Sequence, residues 1–185
     1  MTVAGVFKPR TQPPQFIPVA ERRLKNRRQS ANLPSMANTF TSLHYHVIFS
    51  TKHREPWIAP DHEERIWKFL GGIARENGMK ALLVGGMPDH IHLALAMPPA
   101  QPVSKAIQLL KGGSSKWIKD NLPGMRGFAL QDGYGAFTVS KSNLLEVISY
   151  IQNQHEHHRV KTFQEEYRAF LFRHGVEFDE KYLWD

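Results

Sequence analysis

The sequence predicts one α+β domain built on an antiparallel sheet with helices mainly on one side, the split arrangement of ferredoxin-like domains. Three observations point to it. The patterned segments run in the order strand, helix, strand, strand, helix, strand, helix, helix. The opening segment alternates between two faces residue by residue, which is strand spacing. Finally, 185 residues with 41% hydrophobic content are enough for one packed core, while two full domains are not expected.

Taken in order, TSLHYHVIFST places Leu43, Tyr45, Val47 and Phe49 on one face of a first strand and His44, His46, Ile48 and Ser50 on the other. Asp61 to Asn77 carries Ile66, Phe69, Leu70 and Ile73 at helical intervals and stops at Gly78. Lys80 to Val84 reads as a second strand ended by Gly85, Gly86 and Pro88, and residues 89–97, DHIHLALAM, as a third. Val103 to Asn121 is a second helix closed by Pro123 and Gly124. Phe128 to Ser140 is a glycine-punctuated strand region, Asn143 to His158 a third helix, and Phe163 to His174 a fourth, ahead of the aromatic end KYLWD.

The formal charge of +7 and pI near 9.7 suggest a polyanionic partner. That charge is uneven. Residues 1–35 hold seven basic residues against Glu21 alone, and five of the twelve prolines, so they read as a disordered basic extension preceding a near-neutral domain over residues 36–185. The absence of cysteine excludes disulfides, thiolate nucleophiles and iron–sulfur clusters, and leaves any metal to His, carboxylate or amide oxygen. No apolar run approaches the roughly 18 residues of a membrane span. The N-terminus lacks a signal-peptide pattern, and the expectation is a soluble, cytoplasmic protein.

His90 and His92 project from one face of the third strand, about 7 Å apart at two strand rises, while Ile91, Leu93, Leu95 and Met97 point into the core. Two imidazoles side by side on a strand make half of a divalent metal site. On spacing alone His44 and His46 are an equal candidate pair. In the third helix, Tyr150 and Gln154 stand at i and i+4 and so share a face, offering a hydroxyl nucleophile beside an amide oxygen. The same pattern also suits a tyrosine at the interface of an amphipathic helix. His155, His157 and His158 spread over roughly 300° of a continuous helix, so they are not expected to converge on one ion, and His155 and His158 read as DNA contacts or solvated surface.

Five blocks in order, LHYHVIFSTKHREPWI, MPDHIHLAL, QDGYGAFTVS, SYIQNQHEHHR and RHGVEFDEKYLWD, resemble the single-tyrosine HUH transposases of the smallest bacterial insertion sequences and their repeat-associated, domesticated relatives. The resemblance covers about residues 36–185 and implies an RRM-like HUH nuclease fold. It also implies that His90, His92 and Gln154 bind Mg²⁺ or Mn²⁺. Tyr150 would attack a phosphodiester of single-stranded DNA, hairpin ends being the expected substrate, and hold the cut end as a 5′-phosphotyrosine. Members act as homodimers, often with the tyrosine helix of one subunit completing the other's site.

Lys52 and Arg54, just after the first strand, are expected phosphate contacts, and the second helix adds Lys105, Lys111, Lys116 and Lys119 against Asp120 alone. Trp117, Phe128, Tyr134 and Phe137 offer stacking surfaces or core packing, and Tyr134 is a rival nucleophile without an adjacent ligand. The competing functions are a domesticated enzyme that processes repeated genomic hairpins, a non-catalytic module for single-stranded nucleic acid, and a phosphodiesterase using water. A chain shortened to begin at Met36 should retain the urea midpoint of the full chain and its cleavage activity. It should bind single-stranded DNA more weakly at low salt, because the extension's excess positive charge is gone. Loss of folding on truncation would reject the separation of extension from domain.

Overall fold

The structure, a computed structural model, describes residues 40–184. The basic extension expected over residues 1–35 lies outside the described residues. The sheet has four antiparallel strands in the order β2-β3-β1-β4, with β1 at His44–Ser50, β2 at Lys80–Met87, β3 at His90–Ala96 and β4 at Gly135–Val139. The register sets Ile48 opposite His92 and Ser50 opposite His90, so the ends of the two central strands lie side by side. No described helix is long and apolar enough to cross a membrane.

Two long helices, α1 (Pro60–Glu76) and α2 (Val103–Asn121), cover one face. They bury Ile66, Leu70, Ile107 and Leu110 against Val47, Phe49, Ile91, Leu93 and Leu95, the side chains that alternation sends to that face. The sequence placed the helices mainly on one side, and the two longest do share it. The shorter α3 (Leu144–Gln152), α4 (Gln154–His157) and α5 (Phe163–Arg173) cross the other face, where Ile48 and Phe137 pack with Phe163 and Leu171.

Three segments depart from expectation. The third helix divides at Asn153 (φ −99°, ψ 21°), whose side-chain amide donates to the Ser149 carbonyl at 2.9 Å and so competes with the helical ladder. Most of the fourth strand region, which follows a short 3₁₀ turn at Met125–Gly127, is loop, and its regular pairing with β1 is confined to Gly135–Val139. Finally, β2 continues through Gly85 and Gly86 to Met87 instead of stopping at Val84. Gly85 is a close-approach residue, because a Cβ there would lie 2.9 Å from Ile151 Cγ2 and 3.0 Å from the Ile151 carbonyl oxygen on α3.

α5 begins with a reciprocal cap. The Glu165 amide donates to the Thr162 hydroxyl at 3.3 Å, and the Thr162 amide donates to the Glu165 carboxylate at 2.9 Å. Because Gly85 holds α3 against the sheet, Gly85→Ala should lower stability by about 1–3 kcal/mol through overpacking, read as a reduced urea midpoint. An unchanged midpoint would mean that α3 rides outward at no cost.

Candidate active site

The face of β3 turned away from the main core carries His90 and His92, both buried under α3–α5. Each ring nitrogen on the strand side is engaged. His90 Nδ1 donates to the Asp89 carboxylate at 2.7 Å, and His92 Nδ1 lies 2.9 Å from His46 Nε2. With its Nδ1–H given to a carboxylate, neutral His90 presents an Nε2 lone pair, and His92 does the same in the tautomer that donates to His46. His90 Nε2 approaches Gln154 Oε1 at 3.3 Å, and His92 Nε2 is buried with no hydrogen-bond partner among the described residues.

Further ligand-type groups arrive from the chain beyond Asn153. His158 donates from Nδ1 to the Lys161 carbonyl at 2.9 Å and turns Nε2 to within 3.0 Å of Gln154 Oε1 and 3.2 Å of Glu166 Oε2. The Gln154 amide nitrogen donates to Glu166 Oε1 at 3.3 Å, which leaves the amide oxygen facing the imidazoles. One ligand atom from each of His90, His92, His158 and Glu166 lies within 4.8 Å of the other three. Imidazole lone pairs, an amide oxygen and a carboxylate thus point at one another, an arrangement that a cation resolves and that fits a divalent metal.

Burial tunes these groups. It lowers the His92 pKa well below the usual imidazole value, with the neighbouring His90 and His46 adding to the effect. Burial, then the charge on His174, takes His46 down to about 4, and burial, then His90, takes His158 to about 4. The three rings are therefore neutral near pH 7, the form that binds metal. Burial also raises Glu166 to about 8, with Asp89 contributing in the same direction.

Tyr150 stands edge-on to this cluster, its ring centroid 6.0 Å from His92, 5.9 Å from His46 and 5.0 Å from His157. Its hydroxyl is buried without a hydrogen-bond partner among the described residues. The ring lines a cleft of about 240 Å³ together with His46, His157, Lys161, Glu166 and Arg173.

The structure thus gathers Tyr150, His90, His92 and Gln154 in one place, and it joins the two rival histidine pairs through His46, while His44 stays at the strand's outer end. The reading of His158 as DNA contact or solvated surface is corrected. Its side chain is 7% exposed and points into the cluster, because the break at Asn153 ends the continuous helix on which that reading depended. His155 is the exposed one, 3.6 Å from Glu63.

Of the predicted DNA-binding residues, Lys52 is exposed on the turn after β1, and Arg54 sits 6.0 Å from the Trp184 ring. That turn abuts the Asp89–His90 corner through the Thr51 amide, which donates to the Asp89 carbonyl at 2.9 Å. Lys105 and Lys116 lie on α2, across the sheet from Tyr150, with Lys105 donating to Gln108 and Lys116 paired to Asp120. Lys111, expected as a phosphate contact, is engaged by a neighbouring loop. Its ammonium donates to the carbonyls of Gln131, Asp132 and Gly133, which uses all three of its N–H bonds. Tyr134 lines a different cleft beside Lys111. Phe128 and Phe137 are buried, and Trp117 stacks on Phe69 at 4.3 Å.

Asp89 and Glu166 have no role in the sequence reading, and His46 enters it only as half of the rival histidine pair. For Glu166 a signal existed: it shares a helix face with the buried Phe163 and the half-buried Phe170, an unusual place for a carboxylate.

A family model described as "Transposase IS200 like" matches residues 39–154. This chain belongs to the IS200-like transposases. Relatives of this transposase include the ISDra2 transposase TnpA of Deinococcus radiodurans, 30% identical over 121 residues that span 62% of this chain and 85% of the relative. The transposase of insertion sequence element IS200 from Salmonella typhimurium is 27% identical over 128 residues, spanning 66% of this chain and 83% of the relative. Among solved structures, a putative transposase from Deinococcus radiodurans R1 superposes with a TM-score of 0.53 at 26% identity, covering 66% of this chain and 98% of that one. A REP-associated tyrosine transposase solved bound to a REP hairpin shares the fold, with a TM-score of 0.50 at 10% identity over 68% of this chain and 74% of that one. The family match ends at Gln154, so His158 and Glu166 fall outside it.

Lys111→Ala should lower stability by about 1–3 kcal/mol by leaving carbonyls of the 131–133 loop without their donor, as read by urea unfolding. Its affinity for single-stranded DNA should stay within about twofold of wild type, since the ammonium faces inward. A large affinity loss at unchanged stability would restore Lys111 as a DNA contact.

Proposed function

We propose that this transposase cleaves and rejoins single-stranded DNA at hairpin-bearing element ends, acting in the cytoplasm as a homodimer, with Tyr150 as nucleophile and Mg²⁺ or Mn²⁺ held by His90, His92 and Gln154. The observation that carries the reading is the Tyr150 ring set edge-on to His92, 6.0 Å away, beside a buried cluster of inward-facing lone pairs. Tyr150 Oη forms a bond to phosphorus while the P–O3′ bond breaks. The phenolic proton is balanced by the proton gained at the released 3′ oxygen, and the cut end stays on the protein as a 5′-phosphotyrosine. Attack by a 3′-OH reverses these bond changes and rejoins strands, and the aryl ester conserves the energy needed for that step.

A divalent cation supplies charge neutralisation at the nonbridging phosphate oxygens and orients the scissile phosphate. The protein's own residues do the rest. Asp89 and His46 fix the ring orientations of His90 and His92, while Lys161 and Arg173 place positive charge in the cleft beside Tyr150. In this reading Lys52 and Arg54 hold flanking phosphates, supported by the contact of their turn with the Asp89–His90 corner. The alternative of a non-catalytic single-strand binder needs exposed aromatics on the sheet, and helices cover both faces among the described residues.

The test is a denaturing gel of a labelled single-stranded oligonucleotide carrying the element's own end, incubated with Mn²⁺. Wild type should yield a covalent protein–DNA adduct, and Tyr150→Phe should abolish it while still binding the DNA. His90→Ala and His92→Ala should each reduce cleavage by about 100-fold or more. An adduct that persists in Tyr150→Phe would move the role to another residue such as Tyr134, and full cleavage without both histidines would make the strand pair structural.

A further inference from the structure

We propose that Glu166 and His158 are direct ligands that complete the metal site, so that a single chain supplies three imidazoles, one amide oxygen and one carboxylate from β3, α4, α5 and the turn between the two helices. The inference rests on the metal reading given above and goes beyond its three-residue set.

Two independent features carry it. The first is ring orientation. The Nδ1–H of His158 is held by the Lys161 carbonyl at 2.9 Å, as that of His90 is held by Asp89 at 2.7 Å, and both rings thereby aim Nε2 at Gln154 Oε1. His158 therefore matches His90 in the way it is oriented, with a fixing acceptor behind and a free lone pair ahead. Two lone pairs converging on an oxygen acceptor repel unless a cation lies between them.

The second feature is the carboxylate. Glu166 is 3% exposed, and its ion-pair neighbours among the described residues are His92, His157 and His158, with no lysine or arginine within 4.0 Å. A buried carboxylate is costly without a cation. Glu166 Oε2 lies 3.2 Å from His158 Nε2 and 3.7 Å from His92 Nε2, so the cluster's one carboxyl group, which a bound cation would ionise, is at its centre. The family match supplies His90, His92 and Gln154, all neutral donors, and the segment after it adds the charge that a hard divalent ion favours. Three imidazoles in the set also favour Mn²⁺ over Mg²⁺.

The experiment uses the full chain and Mn²⁺ alone, without DNA. Free Mn²⁺ is titrated by its aqueous EPR signal in wild type, Glu166→Gln, His158→Ala and His90→Ala, and pulsed EPR counts the coordinated imidazole nitrogens. Wild type should show three coupled imidazoles and His158→Ala two. Glu166→Gln, which keeps the side chain's shape, should weaken Mn²⁺ binding by about tenfold or more. Circular dichroism in EDTA verifies that each variant is folded, and Glu166→Ala replaces Glu166→Gln if the latter is not. A count of two imidazoles in wild type overturns the role of His158, and an affinity within twofold of wild type in the folded Glu166 variant overturns that of Glu166. If instead wild type binds no Mn²⁺, or His90→Ala binds it unchanged, the underlying metal reading fails.

Discussion

The site depends on one constraint: β3 is buried on both faces. Its alternation sends Ile91, Leu93 and Leu95 into the main core and His90 and His92 under the C-terminal helices, where neither ring reaches solvent. A polar ring in that position needs a partner for its N–H, and each has one, Asp89 for His90 and His46 for His92. Satisfying one nitrogen of each ring fixes the direction of the other. Orientation at the site is thus a consequence of strand periodicity and hydrogen-bond satisfaction, and it exists before any ion or DNA arrives.

The second layer over that strand depends on the break at Asn153. A continuous helix would carry Gln154 and His158 onward along the axis of α3. Dividing it brings both side chains down onto the histidine face, where Gln154 is buried and His158 nearly so. α5 then closes the cluster, anchored at its start by the Thr162–Glu165 cap and along its length by Phe163 and Leu171. Its one buried carboxylate faces the imidazoles, and the apolar residues flanking it keep water away.

Much of this was legible in the sequence, for reasons that differ by element. β1 and β3 show period-two alternation, α2 runs over the predicted Val103–Asn121, and α1 ends where Gly78 takes a positive φ of 70°. The Tyr150, His90, His92 and Gln154 grouping followed from spacing and resemblance together. What stayed hidden depends on contacts distant in sequence. Gly85 and Gly86 read locally as a break, yet the reason for Gly85 is the backbone of α3 arriving from far along the chain. Lys111 reads as a surface cation until the 131–133 loop folds back to place three carbonyls around it. The reading of His158 assumed one helix, and Asn153 divides it.

The close approach at Gly85 links the fold to the chemistry. β2 and β3 pair with Gly85 opposite His92, so the strand residue that α3 touches is the cross-strand neighbour of a proposed ligand. Ile151 makes that contact, and Tyr150 is the residue before it on the same helix. The separation between the tyrosine ring and the His92 ring is thereby set by a backbone-to-helix distance rather than by a flexible side chain. A nucleophile that must meet a phosphate beside an oriented imidazole gains from such a fixed distance, since misplacement by about 1 Å is enough to cost about 100-fold in rate. The absent side chain at Gly85 therefore belongs to the positioning of the site as much as the hydrogen bonds of His46 and Asp89 do.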